Sequence, residues 1–283
     1  MKNVKIIIDS SADIPEEYLE SFKVMPMKIC FGDTEYTAGV DLTKAEFYGK
    51  LIESDTLPVT SQIKPFDYQE AFDEAYNEGE EVVVITISSK LSGTYQSALI
   101  AKSETKATVY VVDSLNVSIG LGILCLLALR LKKEGKSAGK IAEILEEEKK
   151  NVRVVALLNT LEYLKKGGRI SAATAMAGTL LNMKPVVAVA DGEVKTVGKA
   201  RGSRQGNNLL TQEIDTAGGV DFDMPLLLGY TGLSDEMLKK YIEDSVMLWE
   251  GNEKSLQITS IGSIVGTHAG PDAIGAAFFA KNK

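Results

Sequence analysis

Short apolar runs alternate with amphipathic segments through the first half of the chain. Residues 4–8, 82–87 and 108–112 are Val- and Ile-rich runs with the length of a buried strand, and residues 24–31 read as a further strand. The segments predicted to be helical are residues 43–53, 65–77, 92–103, 119–131 and 137–149. Strands that alternate with helices in this way are typical of a parallel sheet.

Local signals mark the ends of several of these helices. Thr43 and Glu46 have the spacing of a capping box, so a helix is expected to begin there. Asp13 is predicted to cap a helix that carries Pro15 in its first turn. Gly79 follows the last apolar position of the helix predicted over residues 65–77, where a helix commonly ends.

The second half of the chain has a different pattern. Strands are predicted at residues 154–158, 186–190, 194–197, 226–230, 256–261 and 276–279, and helices at 160–166, 203–215 and 234–249. Asp191-Gly192 between two of these strands is a strong hairpin signal, which favours an antiparallel or mixed sheet. The glycine-rich stretch 262–271 is predicted to be a loop.

Together these patterns predict an α/β protein of two domains. The first domain, residues 1–151, is expected to hold a parallel sheet. The second, residues 152–283, is expected to hold a mostly antiparallel or mixed sheet.

Charge and composition narrow the classes of partner. The net charge of −8 makes nucleic acid and acidic membranes poor default partners. The local basic run of Lys195, Lys199, Arg201 and Arg204 is better explained as a solvated face. Cys30 and Cys125 lie far apart among apolar neighbours, no secretory leader opens the chain, and no run reaches the ~18 apolar residues of a membrane span. We therefore expect a cytoplasmic protein.

Hydroxyl-rich loops follow several of the predicted strands. They are Asp9-Ser10-Ser11, Thr60-Ser61-Gln62, the segment from Ser88 through Ser92, Gly93 and Thr94, and Asp113-Ser114 with Ser118-Ile119-Gly120. Each loop alone is explained by helix capping. Because parallel strands place such loops at one edge of a sheet, the set together predicts a shared crevice, in which Gly93 lets an anion approach the start of a helix.

Two further residues stand out, and each has two readings. His268 is the one histidine of the chain. It is either an ordinary satisfied polar side chain or a donor to a carboxylate. Arg169, after Gly167-Gly168, either binds an anion or pairs with a surface acid. With a single histidine and no cysteine pair at ligand spacing, no metal site is expected.

The ordered set of motifs resembles the DegV family of bacterial lipid-binding proteins. The matching segments are Asp9-Ser10-Ser11-Ala12-Asp13, Thr60-Ser61-Gln62, Leu91-Ser92-Gly93-Thr94-Tyr95, Asp113-Ser114, Ser118-Ile119-Gly120, Leu161 through Ile170, Lys184-Pro185 and Gly266-Thr267-His268-Ala269-Gly270-Pro271. The resemblance implies two α/β domains with a long-chain fatty acid buried between them. It also implies no cofactor and no catalytic residue.

The resemblance further implies where the acid lies and what happens to it. The carboxylate is expected at Thr60, Ser61, Ser92 and Gly93, with His268 and Arg169 at or near it. A separate ATP-binding kinase subunit is then expected to form the acyl phosphate for phospholipid synthesis, and transient contact with a membrane is compatible with this role. Rival readings are a lipase-like hydrolase that uses Ser92 and His268, and a DNA-binding regulator.

Two positions depart from the family pattern. Ile63-Lys64 separate the Thr-Ser-Gln motif from Pro65, and Asp272 stands where glycine is frequent. Asp272 brings negative charge close to the expected anion site. The apolar residues considered for the tail are Ile119, Leu121, Leu157, Leu180 and Met183, each of which also fits ordinary core packing.

Overall fold

The computed structural model describes residues 3–170 and 183–281. Its strands are β1 Val4–Asp9, β2 Lys23–Met25, β3 Lys28–Phe31, β4 Thr34–Thr37, β5 Val59–Ser61, β6 Glu81–Thr86, β7 Val109–Asp113, β8 Val152–Leu157, β9 Met183–Ala190, β10 Glu193–Arg201, β11 Leu227–Tyr230, β12 Gln257–Ser260 and β13 Ile274–Phe279. Its α-helices are α1 Lys44–Glu53, α2 Pro65–Asn77, α3 Thr94–Glu104, α4 Ile119–Lys133, α5 Ala138–Glu148, α6 Glu162–Lys166, α7 Gly202–Thr216, α8 Glu236–Asp244, α9 Val246–Trp249 and α10 Ser263–Ala269. Short 3-10 helices lie at Glu16–Ser21, Lys149–Asn151 and Glu253–Ser255.

The first sheet is parallel, as predicted. Its strand order is β2-β1-β6-β7, and every neighbouring pair runs in the same direction. Alternate residues of β1 serve opposite faces, because Ile6 and Ile8 pack with α4 and α5 whereas Ile7 packs on the side of α2. Because this sheet is buried on both faces, the sequences of its central strands are unbroken apolar runs.

The second sheet is mixed, which confirms the expectation from the hairpin signal. Its order is β10-β9-β8-β13-β11-β12, and only β11 and β12 run parallel among these six described strands. Asp191 and Gly192 form the turn between β9 and β10, both with positive φ, as a tight hairpin turn requires. The tip of this hairpin docks on the first half of the chain, where the Ser88 hydroxyl donates to the Gly192 carbonyl at 2.7 Å.

Helix α4 lies between the two sheets. It packs against β1 and β6 on one side and against β8, β11 and β13 on the other. This position explains its sequence, since every residue from Ile119 to Leu129 is buried. The chain passes from the first sheet to the second just after the 3-10 helix that ends at Asn151. The boundary between the two domains is expected at the same place. The division into two domains stays a prediction.

A small antiparallel sheet in the order β4-β3-β5 is absent from the sequence-based expectation. The single strand predicted over residues 24–31 is wrong: it is split into β2 and β3, which belong to different sheets. Pro26 stands at the break, since proline cannot donate a ladder hydrogen bond. The small sheet has one buried face, on which Ile29 pairs with Thr60, and one outward face, which carries Val59 and Ser61.

Three other expectations are corrected. Asp13 does not cap the following helix; its carboxylate accepts hydrogen bonds from the Ser118 hydroxyl at 2.7 Å and the Gly262 N–H at 2.6 Å. The helix expected over residues 234–249 is two helices, α8 and α9, separated by Ser245. The stretch 262–271 is not a loop, because residues 263–269 form α10.

Candidate functional site

A largely apolar cavity lies where the two large sheets and the small sheet meet. Its volume is about 240 Å³. One part of its apolar wall comes from β8, β9, β10 and β13, with residues such as Val154, Ala156, Val187, Val189, Val194 and Ile274, and the rest comes from residues such as Ile87, Leu91, Ile119, Leu164 and Ile264. At one part of the wall the lining becomes polar, with Thr60, Gln62, Ser92, Gly93, Arg169 and His268.

Thr60 and His268 are brought together from positions 208 residues apart. Thr60 faces inward from β5, and His268 lies in the last turn of α10, which packs against β3 and β5. The Thr60 Oγ1 lies 3.1 Å from the Nε2 of His268. The other ring nitrogen, Nδ1, is buried and has no hydrogen-bond partner among the described residues.

Ser92 and Gly93 lie at the start of α3. The Ser92 hydroxyl accepts a hydrogen bond from the Thr94 N–H at 3.3 Å and lies 3.0 Å from the Thr94 Oγ1. Gly93 is the residue that precedes the helix, where N–H groups lack partners within the helix. The positive end of the helix dipole therefore faces this part of the cavity, which suits a negatively charged group.

The Arg169 side chain donates hydrogen bonds to two separate parts of the chain. Its Nη1 donates to the Gly167 carbonyl at 2.6 Å and its Nε to the Leu91 carbonyl at 3.2 Å. The guanidinium is thus fixed beside the Ser92 loop, and these two hydrogen bonds use two of its five N–H groups. Neither hydrogen bond is to a surface acid, so the reading of Arg169 as a surface ion pair finds no support in the described residues.

Burial and the charge of Arg169 both act on His268. Burial is the larger cause, and together they lower the pKa of His268 to about 4. The ring is therefore neutral near pH 7. Gly167 packs directly against the ring, because a Cβ at this position would overlap Nδ1 of His268.

Ser61 is not brought into this group. It is exposed on the outward face of β5, because adjacent residues of a strand point in opposite directions. Gln62 lies just beyond the end of β5 and is exposed, yet it lines the cavity, and its amide donates to the Ser97 hydroxyl at 3.0 Å. Gln62 also packs on Gly93, where a Cβ would overlap the Gln62 Oε1. Gln62 is a lining residue that the sequence analysis did not single out.

The residues considered for the fatty acid tail do not all line the cavity. Ile119 lines the cavity. Leu121 and Leu157 are buried in the surrounding core, and Met183 is half-buried outside the lining. Leu180 lies outside the described residues. Asp272 is exposed and is not part of the lining either, although its charge reaches the Tyr163 phenol.

The other chemistry considered from the sequence has little structural support. The basic run lies along β10 and the start of α7, and Lys195 forms an ion pair with Asp191 at 3.0 Å. In residues 3–170 and 183–281, no group of three or more His, Cys, Asp or Glu side chains is placed to hold a metal ion. None of the described helices combines the length and the apolar character needed to cross a bilayer.

Comparisons with known proteins agree with this architecture. The model of the DegV family, a family described as uncharacterised, matches residues 3–281. A DegV domain-containing protein of Caldanaerobacter subterraneus is 34% identical, over 99% of this chain and 100% of the relative.

Two solved structures share the fold. The first is a DegV family protein from Thermus thermophilus described by its fatty acid binding, with a TM-score of 0.87, 29% identity and coverage of 98% of this chain and 99% of that chain. The second is a stearic-acid-binding protein from Eubacterium ventriosum, with a TM-score of 0.86, 26% identity and 99% of both chains covered. From its sequence match and its fold, the chain belongs to the DegV family.

Proposed function

We propose that this protein binds a long-chain fatty acid, with the carboxylate at Thr60, Ser92, Gly93, His268 and Arg169 and the tail in the apolar cavity. The observation that carries the proposal is the continuity of the site, because the polar cluster opens directly onto the apolar wall. The fatty acid binding of the Thermus DegV family protein and the stearic acid binding of the Eubacterium protein support the same ligand class for this chain.

The energetics assign different roles to the two ends of the ligand. Removing a carboxylate from water costs several kcal/mol unless it is fully hydrogen-bonded. Hydrogen bonds to a charged group contribute roughly 1.5–3 kcal/mol each, so the head group approximately breaks even and sets the orientation. Burial of the tail contributes ~0.8 kcal/mol per methylene, so affinity comes from the length of chain that the cavity holds.

The acid is further proposed to be presented to a separate ATP-binding kinase, which forms the acyl phosphate for phospholipid synthesis. In this role the protein is a cytoplasmic carrier that does no chemistry itself. The polar end of the cavity includes the partly exposed Ser92 and Arg169, which supports access of a partner to the carboxylate. Transient contact with a membrane is compatible with loading of the carrier.

A lipase-like hydrolase is less well supported by the hydrogen bonds. A serine nucleophile needs a base within reach, and the base needs a group that orients it. Within the described residues, Ser92 bonds to Thr94 and not to His268. The Nδ1 of His268 has no carboxylate partner there.

Mass spectrometry of the purified protein tests the proposal. The protein is denatured, extracted with organic solvent, and the extract is compared with that of a Thr60→Ala/Ser92→Ala variant prepared in the same way. We expect about one intact long-chain fatty acid per wild-type chain and much less in the variant. An extract without fatty acid, together with a failure of the delipidated protein to bind one, would contradict the proposal.

Enlarging Gly167 is predicted to weaken acid binding through His268. In a Gly167→Ala variant the new methyl group would overlap the imidazole, so the ring must move away from Thr60. We expect the affinity for hexadecanoic acid to fall roughly tenfold, because this factor corresponds to the free energy of about one hydrogen bond to a charged group. Isothermal titration of the delipidated protein measures this change.

Gly49→Ala is the matched control. Gly49 lies inside α1 with no atom within 4 Å of a Cβ, so alanine should leave binding unchanged and stabilise the helix by roughly 0.5–1 kcal/mol. Equal acid affinity in the Gly167→Ala variant and the wild type would show that His268 is not held in place by this contact.

Protonation of His268 is predicted to destabilise the delipidated protein in mild acid. Its pKa of about 4 is below the ordinary value of 6.5, so the unfolded chain binds the proton more readily than the folded one. The stability that this group contributes is complete above pH 6.5 and is lost as the pH falls towards 4, by roughly 2–3 kcal/mol.

A His268→Gln variant isolates this contribution. Burial raises the pKa of Asp9 and Asp13, whose contributions to stability have the opposite sign but are common to both proteins. Urea unfolding at several pH values should therefore show the wild type losing stability relative to the variant between pH 6.5 and 4. Parallel pH profiles would mean that the imidazole is solvated and titrates normally.

A further inference from the structure

Two polar side chains line the cavity besides the cluster at its polar end. Thr231 directly follows β11 and Ser118 directly precedes α4, and the lining residues around them include Ile119, Ile261 and Ile274. Only 1% of Thr231 and 5% of Ser118 is exposed. A buried hydroxyl in an apolar wall needs hydrogen-bond partners, so the partners of these two groups decide what they can bind.

The hydrogen bonds of Thr231 distinguish it from other buried threonines. Its oxygen accepts a hydrogen bond from the Ala273 N–H at 2.8 Å, but none of the described residues accepts the proton of its hydroxyl. The hydroxyls of Thr259 and Thr267, by contrast, donate to backbone carbonyls at 3.2 Å and 2.9 Å. A buried donor without an acceptor is destabilising, and this one lies in the wall of a ligand cavity, where a ligand can supply the acceptor.

Ser118 has the complementary property. Its hydroxyl donates to the buried carboxylate of Asp13 at 2.7 Å. Within residues 3–170 and 183–281, no group donates to the Ser118 oxygen in return. A hydroxyl oxygen has two lone pairs, so Ser118 can still accept a hydrogen bond from a ligand.

The two side chains lie at the same part of the cavity. Ile119 directly follows Ser118, and a Cβ on Gly229 or Gly275 would contact its side chain at 3.0 Å or 3.5 Å. Gly229 is in β11, two residues before Thr231, and Gly275 is in the neighbouring strand β13. The start of α4 therefore packs against the ends of β11 and β13, where Thr231 lies.

Helix α10 spans the distance from this place to the polar end. Gly262, which precedes α10, donates at 2.6 Å to the same Asp13 carboxylate that binds Ser118, whereas His268 lies in the last turn of the helix. Six residues of helix at 1.5 Å each correspond to roughly 9 Å. The two hydroxyls therefore face the acyl chain several methylenes away from its carboxylate.

A hydroxyl group on the acyl chain matches this pair of partners. It can accept the proton of Thr231 and donate its own proton to the oxygen of Ser118. At any other place along the apolar wall the same group would lose its hydrogen bonds to water without replacement, which lowers affinity roughly tenfold or more. The pair removes this penalty at one position of the chain.

We propose that Thr231 and Ser118 form a second polar subsite, which admits a long-chain fatty acid that carries a hydroxyl group in the middle of its chain. The inference rests on the proposed function, because it assumes that an acyl chain fills the cavity. It extends the ligand class from unsubstituted acids to hydroxy acids, and it makes binding depend on the carbon that carries the hydroxyl.

Binding of positional isomers tests the proposal. The delipidated protein is titrated with hexadecanoic acid and with its monohydroxy derivatives, in which the hydroxyl stands at successive carbons from the carboxyl end to the methyl end. We expect one position in the middle of the chain to bind within about threefold of hexadecanoic acid, and the other positions to bind roughly tenfold more weakly or worse. Equal weakening at every position would overturn the proposal.

Substitutions of Thr231 supply the second readout. In Thr231→Val the ratio of the affinity for the favoured isomer to that for hexadecanoic acid should fall roughly tenfold, whereas Thr231→Ser should keep the wild-type ratio because its hydroxyl remains. Thr259→Val is the matched control, since it removes a buried hydroxyl from β12 outside the lining. A positional preference that persists in Thr231→Val would also contradict the proposal.

These outcomes separate the inference from the proposed function. If the wild-type protein binds no fatty acid, the proposed function fails. If it binds hexadecanoic acid but disfavours every hydroxy isomer equally, only the second subsite fails. Should Thr231→Val not fold, the positional profile of the wild-type protein decides alone.

Discussion

Replacing both Thr60 and Ser92 by alanine should lower the affinity for hexadecanoic acid by roughly 100-fold. Each hydroxyl is expected to donate to the carboxylate, and two such bonds at about 1.5 kcal/mol or more each correspond to this factor. The cost to folding should be smaller, because the substitution removes only the contacts with His268 and Thr94 at a partly open site. Isothermal titration and urea unfolding measure the two effects separately.

Ser61→Ala is the matched control for this experiment. It removes the same hydroxyl group from the neighbouring residue, which is exposed on the other face of β5. Binding should be unchanged in this variant. If the double variant binds the acid as well as Ser61→Ala does, the carboxylate is not held at Thr60 and Ser92.

Filling the apolar part of the cavity should have an effect of similar size through the tail. Ala156 lies in β8 between β9 and β13 and lines the cavity. Phenylalanine at this position would occupy the space of about four methylenes, and losing their burial costs ~3 kcal/mol, or roughly 100-fold in affinity for a sixteen-carbon acid. Competition binding with acids of different length measures the change.

A smaller substitution and a shorter ligand are the controls. Ala156→Val should weaken binding of hexadecanoic acid only slightly, and Ala156→Phe should affect octanoic acid less than hexadecanoic acid because less tail has to be accommodated. Unfolding curves verify that each variant is folded. An unchanged preference for chain length in Ala156→Phe would mean that the tail does not lie along β8.

Most elements were predictable because their signals are local. The capping box at Thr43 and the hairpin turn at Asp191-Gly192 are present as expected. Alternation along β5 also predicts that Ser61, next to the inward-facing Thr60, points outward. Gln62 lies beyond the strand and is exposed, so its place in the lining depends on its tertiary contact with Gly93.

Other features depend on contacts that no local pattern reveals. Gly262, Gly266 and Gly270 made residues 262–271 look like a loop, yet Gly266 is needed in α10 because a Cβ there would press on Tyr48 and Phe47. Asp13 looked like a helix cap, but its partners Ser118 and Gly262 are 105 and 249 residues away. Such partners are fixed by the tertiary fold.

A crystal structure of the protein with hexadecanoic acid tests the central claim most directly. The account predicts a carboxylate within hydrogen-bonding distance of the Thr60 and Ser92 hydroxyls, with the alkyl chain running along Val154, Ala156 and Val187. An acid bound elsewhere, or one inserted with its methyl end at Thr60 and Ser92, would contradict it.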